Sequence, residues 1–219
     1  MRKLTPTQLK IAVWAGIIGP ALFVAVFLIE GLLRPDYNML STYVSALSLG
    51  PRGWIQIVNF MVFGLLLFAF AQGVGSEFRT GKASRGGVRL LTIIAACYFF
   101  SGPFVMDPEG TPLNLATVHG TLHGILGAIA FLLMPVACFV YLRRFNADPE
   151  WRAMRGWTLI LGTIAAAALI ILTVVTKLPQ FQSIFADWDG LIQRELIIPF
   201  MAWVFIFALA LRRKTKTGE

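Results

Sequence analysis

Six long apolar runs, separated by short polar connections, dominate the chain. A helix needs about 20 mostly apolar residues to cross the roughly 30 Å hydrocarbon core of a bilayer, and each run is close to that length. We therefore predict an all-α polytopic membrane protein, a six-transmembrane-helix bundle. Because the connections are short, residues 1–219 are predicted to form a single transmembrane domain. The predicted spans are approximately 11–33, 54–75, 90–106, 115–142, 157–175 and 190–211.

Composition supports a bilayer as the main solvent of this chain. Hydrophobic residues make up 57% of the sequence and charged residues only 14%, and the mean hydropathy is +0.74. A soluble domain typically carries about 25% charged residues. The lipid bilayer is therefore the first predicted partner.

The basic residues predict the orientation of the bundle. Lys and Arg concentrate at both termini and in the second and fourth connections, which lie on one side if the six runs alternate in direction. Short basic loops stay in the cytoplasm, so both termini are predicted to be cytoplasmic, in a plasma or inner membrane. The net charge of +8 then has a simple cause, and no nucleic-acid partner is predicted.

Polar side chains that could take part in catalysis or ligand binding gather on the opposite, outer side. Ser41, Ser45 and Ser48 follow at helical spacing in the first connection. The simpler interpretation is that these serines cap and solvate a surface helix. Asp107 ends the third run. His119 and His123 begin the fourth run and, being four residues apart, project from one face of a helix.

Two chemistries fit this set of residues. His119, His123 and Asp107 could hold a zinc ion that activates water, with Glu195 as another possible carboxylate ligand. Alternatively, Ser45 is a nucleophile, His119 or His123 is its base, and Asp107 orients the histidine. The candidate catalytic residues are accordingly Ser45, Asp107, His119 and His123, and the candidate substrate-binding residues are Ser41, Arg52, Asn59, Arg194 and Glu195.

The sequence also resembles a known family. The resemblance lies in the first-connection string from Ser41 and Ser45 through Gly50, Pro51, Gly53 and Trp54, in Asn59, in the stretch from Pro103 to Pro108, and in the pair His119 and His123. These segments resemble the bacterial and archaeal membrane family called domain of unknown function 998. The resemblance implies a six-helix fold over essentially the whole chain, and it implies no reaction.

Three function classes remain open from the sequence. The first is a membrane-embedded hydrolase that acts on a lipid or amphipathic substrate at the outer leaflet. The second is a bundle that binds or transports a small molecule or lipid. The third is a structural membrane protein in which the polar cluster only joins helices.

Overall fold

The computed structural model describes residues 3–217, and the regular structure in that range is entirely helical. Seven α-helices are connected by short loops and four single-turn 3₁₀ segments. The α-helices are α1 (Pro6–Leu33), α2 (Gly53–Glu77), α3 (Arg85–Ser101), α4 (Val118–Ala147), α5 (Met154–Lys177), α6 (Pro179–Phe185) and α7 (Asp189–Thr217). The 3₁₀ segments are Val44–Ser48, Leu113–Leu115, Pro149–Trp151 and Ala186–Trp188.

Five helical segments of the described chain are long and apolar enough to cross a membrane. Four of them are α1, α2, α4 and α5, and the fifth runs from Pro179 to Lys214 through α6 and α7. This confirms an all-α chain of the polytopic membrane type. The helix α3 has 17 residues, and at about 1.5 Å per residue it covers only about 25 Å. A sixth crossing by α3 stays a prediction.

The helix α3 begins and ends earlier than the predicted span 90–106. It begins at Arg85 and ends at Ser101. Pro103 lacks the backbone N–H that the next helical turn requires, so the chain leaves the helix there. Residues 102–117 then connect α3 to α4 and contain the 3₁₀ segment Leu113–Leu115.

The helices form a closed ring around a central core. Each long helix packs against its neighbours in sequence, from α1 through α5, and α7 closes the ring by packing against both α5 and α1. Aromatic rings fill the core, as in the pair Phe63 and Tyr98, whose centroids are 4.7 Å apart. Large apolar side chains also cover the outside of the bundle, with Ile18 50% and Ile170 64% exposed. An apolar exterior is what a lipid solvent requires.

Candidate functional site

Loop one, defined here as residues 34–52, folds back onto one end of the bundle. Arg34 at the end of α1 donates hydrogen bonds to the carbonyl oxygens of Leu47 at 2.6 Å and Leu49 at 2.9 Å. Its guanidinium also lies 3.7 Å from the carboxylate of Glu30, four residues earlier in α1. We call this part of the molecule, which includes loop one, residues 102–117 and the start of α7, the loop-one end.

Arg52 closes loop one onto the same carboxylate. Its Nε and Nη2 donate to the two oxygens of Glu30 at 3.1 and 2.5 Å. Glu30 is 4% exposed and is held between two guanidinium groups, which compensates its burial. The predicted substrate-binding role of Arg52 stays a prediction, and in this structure its side chain is engaged with Glu30.

The start of α7 holds the other side of loop one. Buried Arg194 donates to the carbonyl oxygens of Thr42 at 3.0 Å and Gly190 at 2.7 Å, and to the hydroxyl of Tyr37 at 2.5 Å. Its neighbour Gln193 accepts a hydrogen bond from the N–H of Val44 at 2.8 Å. Loop one is therefore held at two helices, by Arg34 at the end of α1 and by Gln193 and Arg194 of α7.

A partly buried polar layer borders this clamp. The carboxylate of Glu109 accepts a hydrogen bond from the N–H of Tyr43 at 2.9 Å. Burial raises the pKa of the Glu109 carboxyl above its ordinary value, although the hydrogen bond from Tyr43 acts in the opposite direction. Burial also raises the pKa of the Tyr43 hydroxyl, and the nearby carboxylates of Asp189 and Glu109 add to that shift. Tyr43 therefore stays neutral at physiological pH.

Asp107 caps the beginning of α4. Its two oxygens accept hydrogen bonds from Thr117, at 2.9 Å from the backbone N–H and 2.7 Å from the hydroxyl. Thr117 in turn accepts from the N–H of Gly120 at 3.0 Å. A β-carbon at Gly120 would lie 2.1 Å from Oδ2 of Asp107, so a larger residue there would require the Asp107 carboxylate to move.

The two histidines occupy different environments. His123 is 7% exposed, and its Nδ1 lies 2.7 Å from the carbonyl oxygen of Phe104 and 3.2 Å from that of Ser101. A carbonyl oxygen can only accept, so Nδ1 carries the proton and Nε2 is the unprotonated nitrogen of the neutral ring. His119 lies one turn earlier, is exposed, and packs edge-on against the ring of Phe104.

A cleft at the loop-one end contains His123. Its enclosed free volume is about 20 Å³, within an empty volume of about 340 Å³ that includes open solvent at its mouth, so the enclosed part has room for a group about the size of one water molecule. Most of the lining is apolar, and four residues contribute polar atoms. The ten lining residues are Val44, Ser45, Phe60, Tyr98, Ser101, His123, Gly127, Ala130, Phe131 and Ile197. We call this space the His123 cleft.

The cleft brings together only part of the predicted catalytic set. Ser45 and His123 share it, whereas Asp107 is engaged with Thr117 and His119 is absent from the lining. Within the described residues, Ser45 and His123 share the lining without a mutual hydrogen bond. The arrangement thus offers a serine hydroxyl and an oriented imidazole, with backbone carbonyls in the orienting role predicted for Asp107.

The predicted zinc ligands do not form a metal site in this structure. Among residues 3–217, no three His, Cys, Asp or Glu side chains lie close enough to share one ion. His119, His123 and Asp107 therefore do not fit the three protein ligands that a catalytic zinc requires.

The other predicted substrate-binding residues lie outside the cleft lining. Asn59 is buried and donates to the carbonyl oxygen of Phe23 and to Oε1 of Gln56, both at 3.1 Å. Glu195 is exposed, and Ser41 is half-buried. Their role in substrate binding stays a prediction.

Sequence reasoning missed Tyr98 and Ser101. Tyr98 is 4% exposed, and its buried hydroxyl has no hydrogen-bond partner. Ser101 follows one turn later and donates to the carbonyl oxygen of Cys97 at 2.8 Å. The available signal was their spacing of three residues, which places two hydroxyls on one face of an otherwise apolar helix.

The helical ring and its cleft define a polytopic helical membrane protein with a small polar site near one end of the bundle. The family model "Protein of unknown function (DUF998)" matches residues 17–210. The chain therefore belongs to this family, and the resemblance predicted from its motifs is confirmed. No curated protein matches the chain, and no solved structure does.

Proposed function

We propose that the protein binds an amphipathic molecule, a lipid or a lipid-like compound, with its polar end in the His123 cleft. The observation that carries this proposal is the composition of the cleft: an apolar lining with a few convergent polar groups, among them a buried hydroxyl without a partner. Such a lining is typical of sites for small ligands. The apolar exterior of the helices supports delivery of the ligand from the bilayer.

The orientation of the protein belongs to this proposal. Basic residues at the end of the bundle opposite loop one favour a cytoplasmic position for both termini, in a plasma or inner membrane. The His123 cleft then faces the outer leaflet. The bound molecule would enter from that leaflet or from the space beyond it.

Gly127 offers a direct test of binding in the cleft. Gly127 lines the cleft, and a β-carbon there meets no atom within 4 Å. A leucine side chain at this position would therefore occupy the cleft without a backbone clash. Gly124 lies one turn earlier, likewise has nothing within 4 Å of its ideal β-carbon, and is absent from the lining, so it provides a matched control.

The experiment measures equilibrium binding of a fluorescent amphiphile to the purified full chain in lipid nanodiscs. We expect saturable binding that Gly127→Leu weakens by about tenfold or more, equivalent to about 1.4 kcal/mol. Gly124→Leu should leave the affinity unchanged. If Gly127→Leu binds as well as wild type, the amphiphile does not occupy this cleft.

A second candidate function is hydrolysis of the bound molecule, and the shared position of Ser45 and His123 favours it. The Ser45 hydroxyl would attack the carbonyl carbon of an ester and pass its proton to Nε2 of His123. The bond to the leaving alcohol breaks as His123 returns that proton to it. Water, activated by the same imidazole, then releases the acid and restores the serine.

Labelling with a fluorophosphonate probe tests this candidate. Covalent labelling of Ser45 that is lost in Ser45→Ala and His123→Ala, and retained in His119→Ala, would support hydrolysis. His119 is the matched control, because it lies one turn from His123 on the same helix but is exposed. If Ser45 is not labelled in protein that still binds the amphiphile, hydrolysis is contradicted and ligand binding remains as the proposed function.

A further inference from the structure

The buried hydroxyl of Tyr98 indicates what the cleft accepts. This side chain packs among the rings of Phe23, Phe60 and Phe63, at centroid distances of 5.3, 6.1 and 4.7 Å. Its oxygen is buried without a hydrogen-bond partner among the described residues. An unsatisfied buried polar group costs about 1–3 kcal/mol. A ligand group that accepts a hydrogen bond from Tyr98 would remove this cost.

His123 supplies the complementary atom. Because Nδ1 donates to the carbonyl oxygens of Phe104 and Ser101, Nε2 is an acceptor. The imidazole packs on Phe60 with a centroid distance of 5.9 Å, so Tyr98 and His123 contact the same aromatic ring. Tyr98 and His123 both line the cleft, so its wall contains one residue whose buried hydroxyl lacks an acceptor and one whose Nε2 can accept a hydrogen bond.

The cleft offers no compensation for a full charge. None of its ten lining residues is Lys, Arg, Asp or Glu. Arg194 lies three residues before the lining residue Ile197, but its buried guanidinium is already engaged with Thr42, Gly190 and Tyr37. An ion placed against an apolar lining without a counter-charge is strongly disfavoured.

We infer that the His123 cleft selects amphiphiles whose head is uncharged and carries both a hydrogen-bond donor and an acceptor, as in an alcohol or an amide. This inference rests on the proposed function and specifies its ligand class. The head accepts from the Tyr98 hydroxyl and donates to Nε2 of His123, while the alkyl chain extends along the apolar lining toward the lipid. Anionic and cationic heads on the same chain are excluded.

The test compares four probes that share one alkyl chain, in nanodiscs containing the full protein. Tetradecanol and tetradecanamide carry uncharged heads, whereas tetradecane sulfonate and tetradecyltrimethylammonium carry permanent charges of opposite sign. Each displaces the fluorescent amphiphile in competition. We expect Kd values for the two uncharged probes to be about tenfold lower, or more, than those for both charged probes.

Two tyrosine variants assign this selectivity to the cleft. Tyr98→Phe removes only the hydroxyl, which has no protein partner, so stability should not fall while the affinity for the two uncharged probes should weaken severalfold. Tyr141→Phe is the matched control: its hydroxyl is also buried and unpartnered, but it lies in the opposite half of the bundle, among Phe78, Phe145 and Phe207. This control should keep both affinity and selectivity.

The outcomes separate the inference from the proposed function. Equal Kd values for all four probes, with binding still blocked by Gly127→Leu, would overturn the selectivity and leave binding in the cleft intact. An unchanged affinity of Tyr98→Phe for the uncharged probes would also overturn the inference. Binding that Gly127→Leu does not affect would overturn the proposed function and this inference with it.

Discussion

Arg194 donates a hydrogen bond to the hydroxyl of Tyr37 with an N–O distance of 2.5 Å, which joins the start of α7 to loop one. The same guanidinium also binds the carbonyl oxygen of Thr42. Val44 and Ser45, which follow in loop one, line the His123 cleft. The clamp made by Arg194 therefore fixes the loop that forms one wall of the cleft.

Removal of this clamp should destabilise the protein. In Arg194→Ala, two carbonyl oxygens and the Tyr37 hydroxyl lose a charged donor in a buried environment, so we expect a loss of about 2–4 kcal/mol in the free energy of unfolding. The measurement is reversible unfolding in detergent. Glu195→Ala is the control, since the neighbouring side chain is exposed. Equal stability of the two variants would contradict the clamp.

The residues of the ion pairs at Glu30 should contribute unequally to the free energy of unfolding. The Arg52 side chain is 50% exposed, but it makes two hydrogen bonds to a carboxylate that is 4% exposed, so Arg52→Ala should cost about 1–3 kcal/mol. Glu30→Ala should cost more, because it leaves the largely buried guanidinium of Arg34 without its carboxylate. The two variants are compared by the same unfolding measurement. If Arg52→Ala lowers the free energy of unfolding more than Glu30→Ala does, the assigned charge compensation between Glu30 and Arg34 is wrong.

Gly53 should not tolerate alanine. Its ideal β-carbon would lie 2.0 Å from the carbonyl oxygen of Ser48, a backbone atom that cannot move without displacing loop one. Gly86 at the start of α3 has nothing within 4 Å of the same position. We expect Gly53→Ala to lower the melting temperature and to weaken amphiphile binding, and Gly86→Ala to be neutral or stabilising by up to about 1 kcal/mol. Retention of full stability by Gly53→Ala would refute the tight contact.

The proposed orientation predicts where labelling reagents reach the chain. A cysteine introduced at exposed Asp36 of loop one should react with a membrane-impermeant maleimide added to intact cells. A cysteine at exposed Lys82, in the connection between α2 and α3, should react only after the membrane is permeabilised. The native cysteines Cys97 and Cys138 are buried and should contribute little background. The reverse pattern would invert the orientation.

Much of the fold could be predicted because its signals are local. Apolar runs of membrane length mark the long helices, and Pro103 explains why α3 ends at Ser101. The glycines of the loop-one motif also have local reasons. Gly50 has a φ of +74°, which favours glycine, and Gly53 approaches the Ser48 carbonyl. The short helix α6 was not predicted, since its seven residues adjoin the predicted span 190–211 without a separate apolar run.

The site was less predictable, because its polar residues were assigned to chemistry before their partners were known. Asp107 caps α4 through Thr117, ten residues later, and Arg194 holds Thr42, 152 residues away in sequence, so neither side chain is free for the predicted role. The spacing of Tyr98 and Ser101 marks two hydroxyls on one face of an apolar helix, but only packing shows that the Tyr98 hydroxyl lacks a partner. Ser45 and His123 line one cleft together with residues of α2, α3 and α7, an arrangement that depends on how the helices pack.

The most direct test of ligand binding in the His123 cleft is photo-crosslinking with an amphiphile that carries a diazirine beside its uncharged head. Our account predicts adducts on peptides containing Tyr98 or Ser101 and on the segment from His123 to Phe131, and a strong reduction of both in Gly127→Leu. Adducts spread over lipid-facing residues such as Ile18 and Ile170, unchanged by Gly127→Leu, would contradict it.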